Sequence, residues 1–267
     1  MRAVILAAGR GTRIAAVHAA PKCLLGFGGD TILDYQIHAL AGASIREIGL
    51  VVGYERERIV DHIAHRYLDS GLSIDFITNP RFAVTNNIYS LGLARSWVGF
   101  HRLVVLNADV LFHPQIFSQA RRPEGDISLV VDPAYREETA KVIIRNGRVV
   151  TLSKGIPRGE ASGTFVNIAT FSRRGAQMLF DTIDAMIAQG RVDVFFNQAI
   201  MRLGGNGVPI GFTEVRGLPW VEIDDPGDLD YARREIYPAL PPLAVPGEEA
   251  RGGNERWATS AGMDSAA

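Results

Sequence analysis

A chain of 267 residues, 47% of them hydrophobic, is long enough for one large domain whose core can surround a deep cleft. The formal net charge is −1, with 28 basic and 29 acidic residues interspersed, so no block of like charge offers a footprint for nucleic acid or an anionic membrane. A single cysteine, Cys23, excludes an internal disulfide and a multi-cysteine metal site, and no run of about 18 apolar residues offers a membrane span, so a reduced, cytoplasmic protein is expected.

Ala3–Ala8 reads as a buried strand, too short for the apolar region of a signal peptide. The spacing of Ile32, Leu33, Ile37 and Leu40 predicts a helix near Thr31–Ala41. Glu47–Val52 reads as a second strand, and Arg56–Leu68 as a charged helix with Ile59, Ile63 and Tyr67 on one side. Leu72–Thr78 is a third strand, Asn87–Trp97 a helix and Leu103–Leu106 a fourth strand. This alternation predicts an α/β fold: a mixed, mostly parallel sheet with helices on both faces, whose strands are apolar on both sides.

The pattern changes after Asp126. Ile127–Val131, Ala140–Arg145, Arg148–Leu152 and Ala161–Phe171 are strand-like, and Asn146-Gly147 between two of them signals a hairpin. These runs predict a small antiparallel β extension. Helices follow near Arg174–Ala188 and Phe195–Leu203, then strands at Val208–Glu214 and Trp220–Ile223, and a closing helix at Pro226–Tyr237. Residues 1–237 therefore read as one domain. Residues 238–267, rich in Pro, Gly, Ala and charge, read as a disordered tail that buries too little apolar surface to order itself.

Leu6-Ala7-Ala8-Gly9-Arg10-Gly11-Thr12-Arg13 closes the first strand. Small residues and glycines let backbone N–H groups approach a triphosphate. Arg13 adds a planar cationic fork, and Lys22 after Pro21 a second cation. The segment is neither a P-loop, having no Gly-Lys-Ser/Thr, nor a dinucleotide fingerprint, having no third glycine. An isolated Gly-x-Gly is more often a tight turn, but this one stands at the carboxyl end of the first strand, where α/β sheets place ligands.

Asp109 ends the apolar run Leu103–Leu106 after Asn107-Ala108, and Glu222 and Asp224 share one face if their segment is extended. Three such carboxylates suit Mg²⁺, which takes oxygen ligands and keeps waters and substrate phosphate. Asp109 could instead cap a turn, and Asp225 is placed to cap the closing helix. Asn86-Asn87 precedes a helix, where Asn is a favoured cap; its amide could equally read a nucleobase or a phosphate, with Ser90 one turn on.

Leu6–Arg13 with Pro21-Lys22 resembles the signature of the sugar-phosphate nucleotidyltransferase superfamily. Asn86–Leu91 (NNIYSL), Asn107-Ala108-Asp109 and Glu222-Ile223-Asp224 resemble its phosphocholine and phosphonate cytidylyltransferase branch. The resemblance covers residues 1 to about 237 and implies a Rossmann-like nucleotidyltransferase fold with CTP as donor. It implies that Leu6, Ala7, Ala8, Gly9, Gly11 and Thr12 hold the triphosphate with Arg13 and Lys22, that Asn86, Asn87 and Ser90 face the nucleotide, and that Asp109, Glu222 and Asp224 hold the metal. For the acceptor, Lys154 stands where the superfamily often places a phosphate-binding lysine. Ser162–Phe165 resembles a Ser-Gly segment lining that pocket, and Asp193 with Phe195 and Phe196 resembles a carboxylate and aromatic pair of the choline enzymes.

Two departures, Asn197 in place of an acidic residue and the lack of a tryptophan in Tyr135–Lys141, leave room for a phosphonate or polyol phosphate. The expected reaction joins CMP from CTP to a small phosphorylated or phosphonate substrate (phosphocholine, 2-aminoethylphosphonate or similar) and releases pyrophosphate. The alternatives are a sugar-1-phosphate nucleotidyltransferase using UTP, GTP or dTTP, and a non-catalytic nucleotide-binding regulatory subunit. The expected partners are the nucleotide and the small acceptor, with neither nucleic acid nor membrane insertion; a homo-oligomer is compatible with the sequence.

Overall fold

The computed structural model describes residues 1–15, 17–120 and 125–243. The first half contains β1 (Arg2–Ala7), the two-residue strands β2 (Gly26–Phe27) and β3 (Asp30–Thr31), α1 (Ile32–Gly42), β4 (Glu47–Val52), α2 (Arg56–Tyr67) and β5 (Ser73–Thr78). It continues with α3 (Asn87–Leu93), α4 (Arg95–Val98), β6 (Leu103–Asn107), β7 (Val110–Phe112) and α5 (Pro114–Ala120). The second half contains β8 (Ile127–Asp132), β9 (Lys141–Arg145), β10 (Arg148–Ser153), β11 (Gly163–Phe171), α6 (Arg173–Ala188) and α7 (Asn197–Gly205). It closes with β12 (Ile210–Glu214), β13 (Trp220–Glu222) and α8 (Pro226–Tyr231).

Strands β5, β4, β1 and β6 are neighbours in that order and run parallel. The expected mostly parallel sheet is therefore present, and β11 joins it antiparallel to β6. Beyond β11 lies the antiparallel hairpin β9–β10, whose turn residues Asn146 and Gly147 both have positive φ (49° and 70°), as a type I′ turn requires. The side chains of β1 and of Ala8, just after it, divide between the two faces. Val4, Leu6 and Ala8 join the cluster under α3, α6 and α7, while Ala3, Ile5 and Ala7 join the cluster under α1, α2 and α5. A strand sandwiched between helical layers must be apolar on both sides, and this is why AVILAA does not alternate.

The single helix expected over Asn87–Trp97 is divided into α3 and α4. Sequence periodicity also overlooks β7 and α5, which are too short to repeat an apolar pattern. A third cluster, with Ile14, Leu25, Tyr35, Ile223 and Ile236, secures the closing helix over one end of the sheet. Residues 238–243 of the expected tail include Leu240 and Leu243, half-buried against that cluster. The remainder of the tail lies outside the described residues. Among the described residues no helix is long and apolar enough to cross a membrane.

Asp34 in α1 is a buried carboxylate that the fold satisfies completely. Its Oδ2 accepts from the N–H and the hydroxyl of Thr31, both at 2.7 Å. Its Oδ1 accepts from the Tyr67 hydroxyl at 2.7 Å and lies 2.9 Å from His62 Nε2. Burial pushes the Asp34 carboxyl up, but His62, Thr31 and Tyr67 outweigh burial and hold it below its ordinary value of 3.8. A depressed folded pKa contributes stability above the ordinary value, and that stability is lost as pH falls through the folded one. Asp34→Asn is therefore expected to cost about 3 kcal/mol at pH 7. The difference from the parent should shrink below pH about 4, as urea titrations at the two pH values would report.

Candidate active site

Two strand ends and a helix start bring three carboxylates together. Asp109 lies in the turn between β6 and β7, and this turn is clamped from below. Buried Gln36 of α1 donates through Nε2 to the carbonyls of Asn107 and Val110, both at 2.9 Å. Glu222 ends β13, which pairs antiparallel with β7 and sets Glu222 opposite Val110. The Ile223 N–H donates to the Asp109 carbonyl at 2.9 Å, tying the two carboxylate-bearing segments to each other. Asp224 is held by the start of α8, where the Asp228 carboxylate accepts from the N–H groups of Asp224 (2.8 Å) and Asp225 (3.1 Å). Asp225 caps α8, accepting from the N–H groups of Gly227 and Asp228, as its place before Pro226 leads one to expect.

Asp109, Glu222 and Asp224 each offer a carboxylate oxygen, and these oxygens all lie within 4.8 Å of one another. Lys22 Nζ sits 2.6 Å from Asp224 Oδ1 and 3.5 Å from Asp109 Oδ2, and the Arg13 guanidinium is 2.6 Å from Asp224 Oδ2. Asp109 keeps a quarter of its side chain accessible, yet its Oδ1 is buried with no hydrogen-bond partner among the described residues. Burial raises the Asp109 carboxyl, Lys22 opposes this, and the Asp224 charge adds to the rise. Glu222 is pushed up to about 8, by burial first and then by the charges of Asp109 and Asp224. Burial also pushes Asp224 up, but its ion pairs with Lys22 and Arg13 outweigh burial and hold it below the ordinary carboxylate range. One orphaned carboxylate oxygen, two carboxyls that resist ionising and an all-oxygen donor set fit a divalent cation. The cluster can hold one, and the residues present match that chemistry.

The glycine loop borders the same cleft. Leu6, Ala8, Gly9 and Arg13 line it, and a smaller recess continues past Ala7 and Gly11 to Lys22. The place where a Gly9 Cβ would stand is open for 4 Å, so a ligand can approach its backbone. Gly11 has φ +60°, and a Cβ there would lie 2.6 Å from Lys22 Cγ, so both conformation and space favour glycine. Thr12 is exposed and borders neither cavity. Asn86, Asn87 and Ser90 line the cleft. Asn86 caps α3, and Asn87 reaches further: its Oδ1 accepts from the Phe196 N–H at 2.8 Å.

The expected acceptor residues are brought together only in part. Lys154, just past β10, lines the cleft, and its Nζ stands 6.0 Å from the centre of the Phe195 ring. Phe195 lines the cleft and is 44% exposed, but Phe196 is buried among the core residues under α6 and α7. Ser162 is outside the cleft: its hydroxyl accepts from the Ile144 N–H at 2.9 Å, extending the β9–β11 ladder. Asp193 is exposed and outside the cleft as well. The carboxylate and paired aromatic rings expected around a cationic headgroup do not assemble: the chain bends at Asp193 and Val194 and turns helical at Phe196, so of the three side chains Phe195 alone lines the cleft.

Sequence reasoning missed Asn79, Phe82, Thr85 and Asn167 in the cleft wall. Asn79-Pro80 after a strand marks a turn and could have drawn notice. Asn167 is the one amide in the buried nine-residue strand β11, and that contrast was its signal. It has φ +61°, sits where the β8–β11 register shifts, and keeps Nδ2 buried with no partner among the described residues.

The family profile described as the MobA-like NTP transferase domain matches residues 3–163. The chain is 28% identical over 253 residues to a CMP-5'-(3-aminopropyl)phosphonate synthase of Streptomyces rubellomurinus, covering 89% of this chain and 39% of that protein. It is 29% identical over 232 residues to a bifunctional IPC transferase and DIPP synthase of Rubrobacter xylanophilus, covering 85% and 50%. The chain thus spans half or less of the length of these two relatives. In fold it resembles an inositol-1-phosphate CTP transferase from T. maritima, with a TM-score of 0.76 at 20% identity, covering 89% of this chain and 94% of that one.

Proposed function

The chain belongs to the MobA-like NTP transferase family, and from that premise we propose that it is a Mg²⁺-dependent cytidylyltransferase acting on a small phosphorylated or phosphonate acceptor. The observation that carries this reading is the carboxylate trio, with its orphaned Asp109 oxygen, set between the glycine loop on one side and Lys154 on the other. Likeness to a CMP-phosphonate synthase and to an inositol-1-phosphate CTP transferase supports CTP as the donor.

An anionic oxygen of the acceptor bonds to the α-phosphorus of CTP. The bond from that phosphorus to the oxygen bridging toward the β-phosphate breaks, and pyrophosphate leaves with its electron pair. The acceptor oxygen is largely ionised at neutral pH, since a second phosphate pKa lies near ~6, so no side chain has to remove a proton. The work of this chain is positioning and charge. Backbone N–H groups at Gly9 and Gly11 meet the triphosphate, and Arg13 and Lys22 face the departing charge. Asp109, Glu222 and Asp224 would hold the Mg²⁺, which would supply Lewis-acid charge neutralisation for the phosphates. Lys154 draws the acceptor's anionic group toward the cleft from the β10 side. The single cysteine, Cys23, is buried and fits a reduced cytoplasmic setting.

The acceptor end supports a polar headgroup over a quaternary ammonium. Lys154 already stands by the Phe195 ring, Phe196 is buried and Asp193 is outside the cleft. Asn167 and Asn197 line this end with amides. Replacing Asn167 by Gly keeps the left-handed backbone unstrained while removing the carboxamide together with its Cβ. It is expected to raise the acceptor KM about tenfold, with the CTP KM within about twofold of the parent, in initial-rate assays.

The reading is tested by pyrophosphate release across four nucleoside triphosphates and four acceptor types: phosphocholine, aminoethylphosphonate, inositol phosphate and sugar-1-phosphates. Release with CTP and aminoethylphosphonate or inositol phosphate is expected. Release confined to UTP, GTP or dTTP with sugar-1-phosphates would overturn it, as would the absence of release from every pair.

A further inference from the structure

At the end of the cleft remote from Lys154, the wall is aromatic. Phe82 lines it, on a loop drawn tightly against the ends of β1 and β4. The Asn79 N–H donates to the Val52 carbonyl at 2.8 Å. Buried Asn79 then organises the loop, donating through Nδ2 to Thr85 Oγ1 (3.1 Å) and Ser90 Oγ (3.0 Å) and accepting from the Arg81 N–H at 2.8 Å. Gly53 permits the close approach: a Cβ there would lie 2.7 Å from Phe82 Cβ and 2.9 Å from the Ala8 carbonyl oxygen. The Phe82 ring is also braced by the edge of Tyr54, at 6.3 Å between centroids, and by the Arg10 guanidinium, 5.4 Å from its centroid. A side chain wedged this way cannot retreat far for a larger ligand.

This end also differs in charge from the other. Its nearby cations, Arg10 and Arg81, stand over the rings of Phe82 and Tyr89. What faces inward is apolar or amide surface, suited to a neutral base. Asn79 is used up within its loop, while of the Asn86 amide only Oδ1 is engaged, accepting from the Asn87 N–H at 2.8 Å. An amide that both donates and accepts can meet the edge of any base, so rejection of the wrong one needs a steric element.

We propose that Phe82 limits the size of the base this cleft admits, confining the donor to nucleoside triphosphates with a one-ring base. The inference rests on the reading of the cleft as a cytidylyltransferase site and adds the residue that excludes purines. The test measures kcat/KM for CTP, UTP, ATP and GTP in the parent, Phe82→Ala and Phe82→Leu, together with binding of each nucleotide in the absence of acceptor. The parent should favour pyrimidines. Phe82→Ala should narrow the pyrimidine-to-purine ratio about tenfold or more in both measurements, and Phe82→Leu should narrow it less. Leu keeps most of the apolar volume, so it carries the test if the Ala variant does not fold. An unchanged ratio, or an equal loss on all four nucleotides, would overturn the size limit and leave the CTP reading standing. A parent that prefers UTP would overturn only the CTP reading, and one that prefers a purine would overturn both.

Discussion

Asp109→Asn is expected to lower turnover with Mg²⁺ about 10³-fold or more, and at the same time to raise the melting temperature of the metal-free protein. On the proposed mechanism, the first effect follows from removing a formal charge that would help hold the metal beside the reacting phosphates, a loss of about 4 kcal/mol in transition-state stabilisation. The second follows from the electrostatics of the metal-free site. Asp109 carries an orphaned oxygen, and its carboxyl is raised above its ordinary value, with burial as the main cause. A carboxyl with a raised folded pKa weakens the fold as pH climbs from its ordinary value toward the folded one. Glu222, raised to about 8 from an ordinary 4.5, weakens the fold as pH climbs between those two values, and the Asp109 charge is part of the reason. An amide at position 109 removes that charge, and its N–H₂ can donate to the neighbouring carboxylates. The metal-free variant should therefore melt higher at pH 7 and lose less stability between pH 4.5 and 8. Mg²⁺ should raise the melting temperature of the parent and leave that of the variant unchanged. Turnover above a tenth of the parent's, or a lower metal-free melting temperature, would sink the assignment of Asp109 to the metal.

How far these arguments could be made from sequence differs by residue. The glycine loop was legible as a candidate phosphate cradle because such a cradle is local: the strand, the small residues and Arg13 are contiguous in the chain. The carboxylates were legible as candidates because each ends an apolar run, but their convergence depends on β13 pairing with β7, three residues that no periodicity can find. The same limit hid Gln36, which reads as one more helix position and in fact clamps the turn carrying Asp109. At the acceptor end the sequence pattern misleads for a physical reason. Phe195 and Phe196 are adjacent in the chain, so one faces the cleft while the other enters the core, and adjacency cannot say which. Asn167 stood out as the one amide in an apolar run, but its place in the cleft wall depends on a left-handed backbone at a register shift, which composition does not report.

Lys22→Met is expected to resemble Asp109→Asn in turnover and to oppose it in stability. Methionine keeps the length and apolar stem of the side chain, so the packing of that stem against Gly11 survives and only the charge is removed. Burial lowers the Lys22 pKa, but Asp109 and Asp224 outweigh burial and raise it, so the ammonium is firmly charged where it sits. Without it, Asp224 retains Arg13 alone, a half-exposed partner, and Asp109 loses its cation. The metal-free variant should lose up to about 3 kcal/mol of stability, the direction expected when a buried ion pair is broken from the cationic side. Added Mg²⁺ should restore much of that stability, since the ion replaces the missing positive charge among the same carboxylates. It should not restore turnover, which is expected to remain about 10²- to 10³-fold below the parent, because the proposed mechanism gives Lys22 the departing pyrophosphate to neutralise and, among the described residues, no other buried cation pairs with Asp109 or Asp224. Paired denaturation and pyrophosphate-release measurements, with and without Mg²⁺, separate the two roles. A variant that regains both stability and turnover on adding Mg²⁺ would mean that Lys22 only neutralises the metal-free site and takes no part in the transfer.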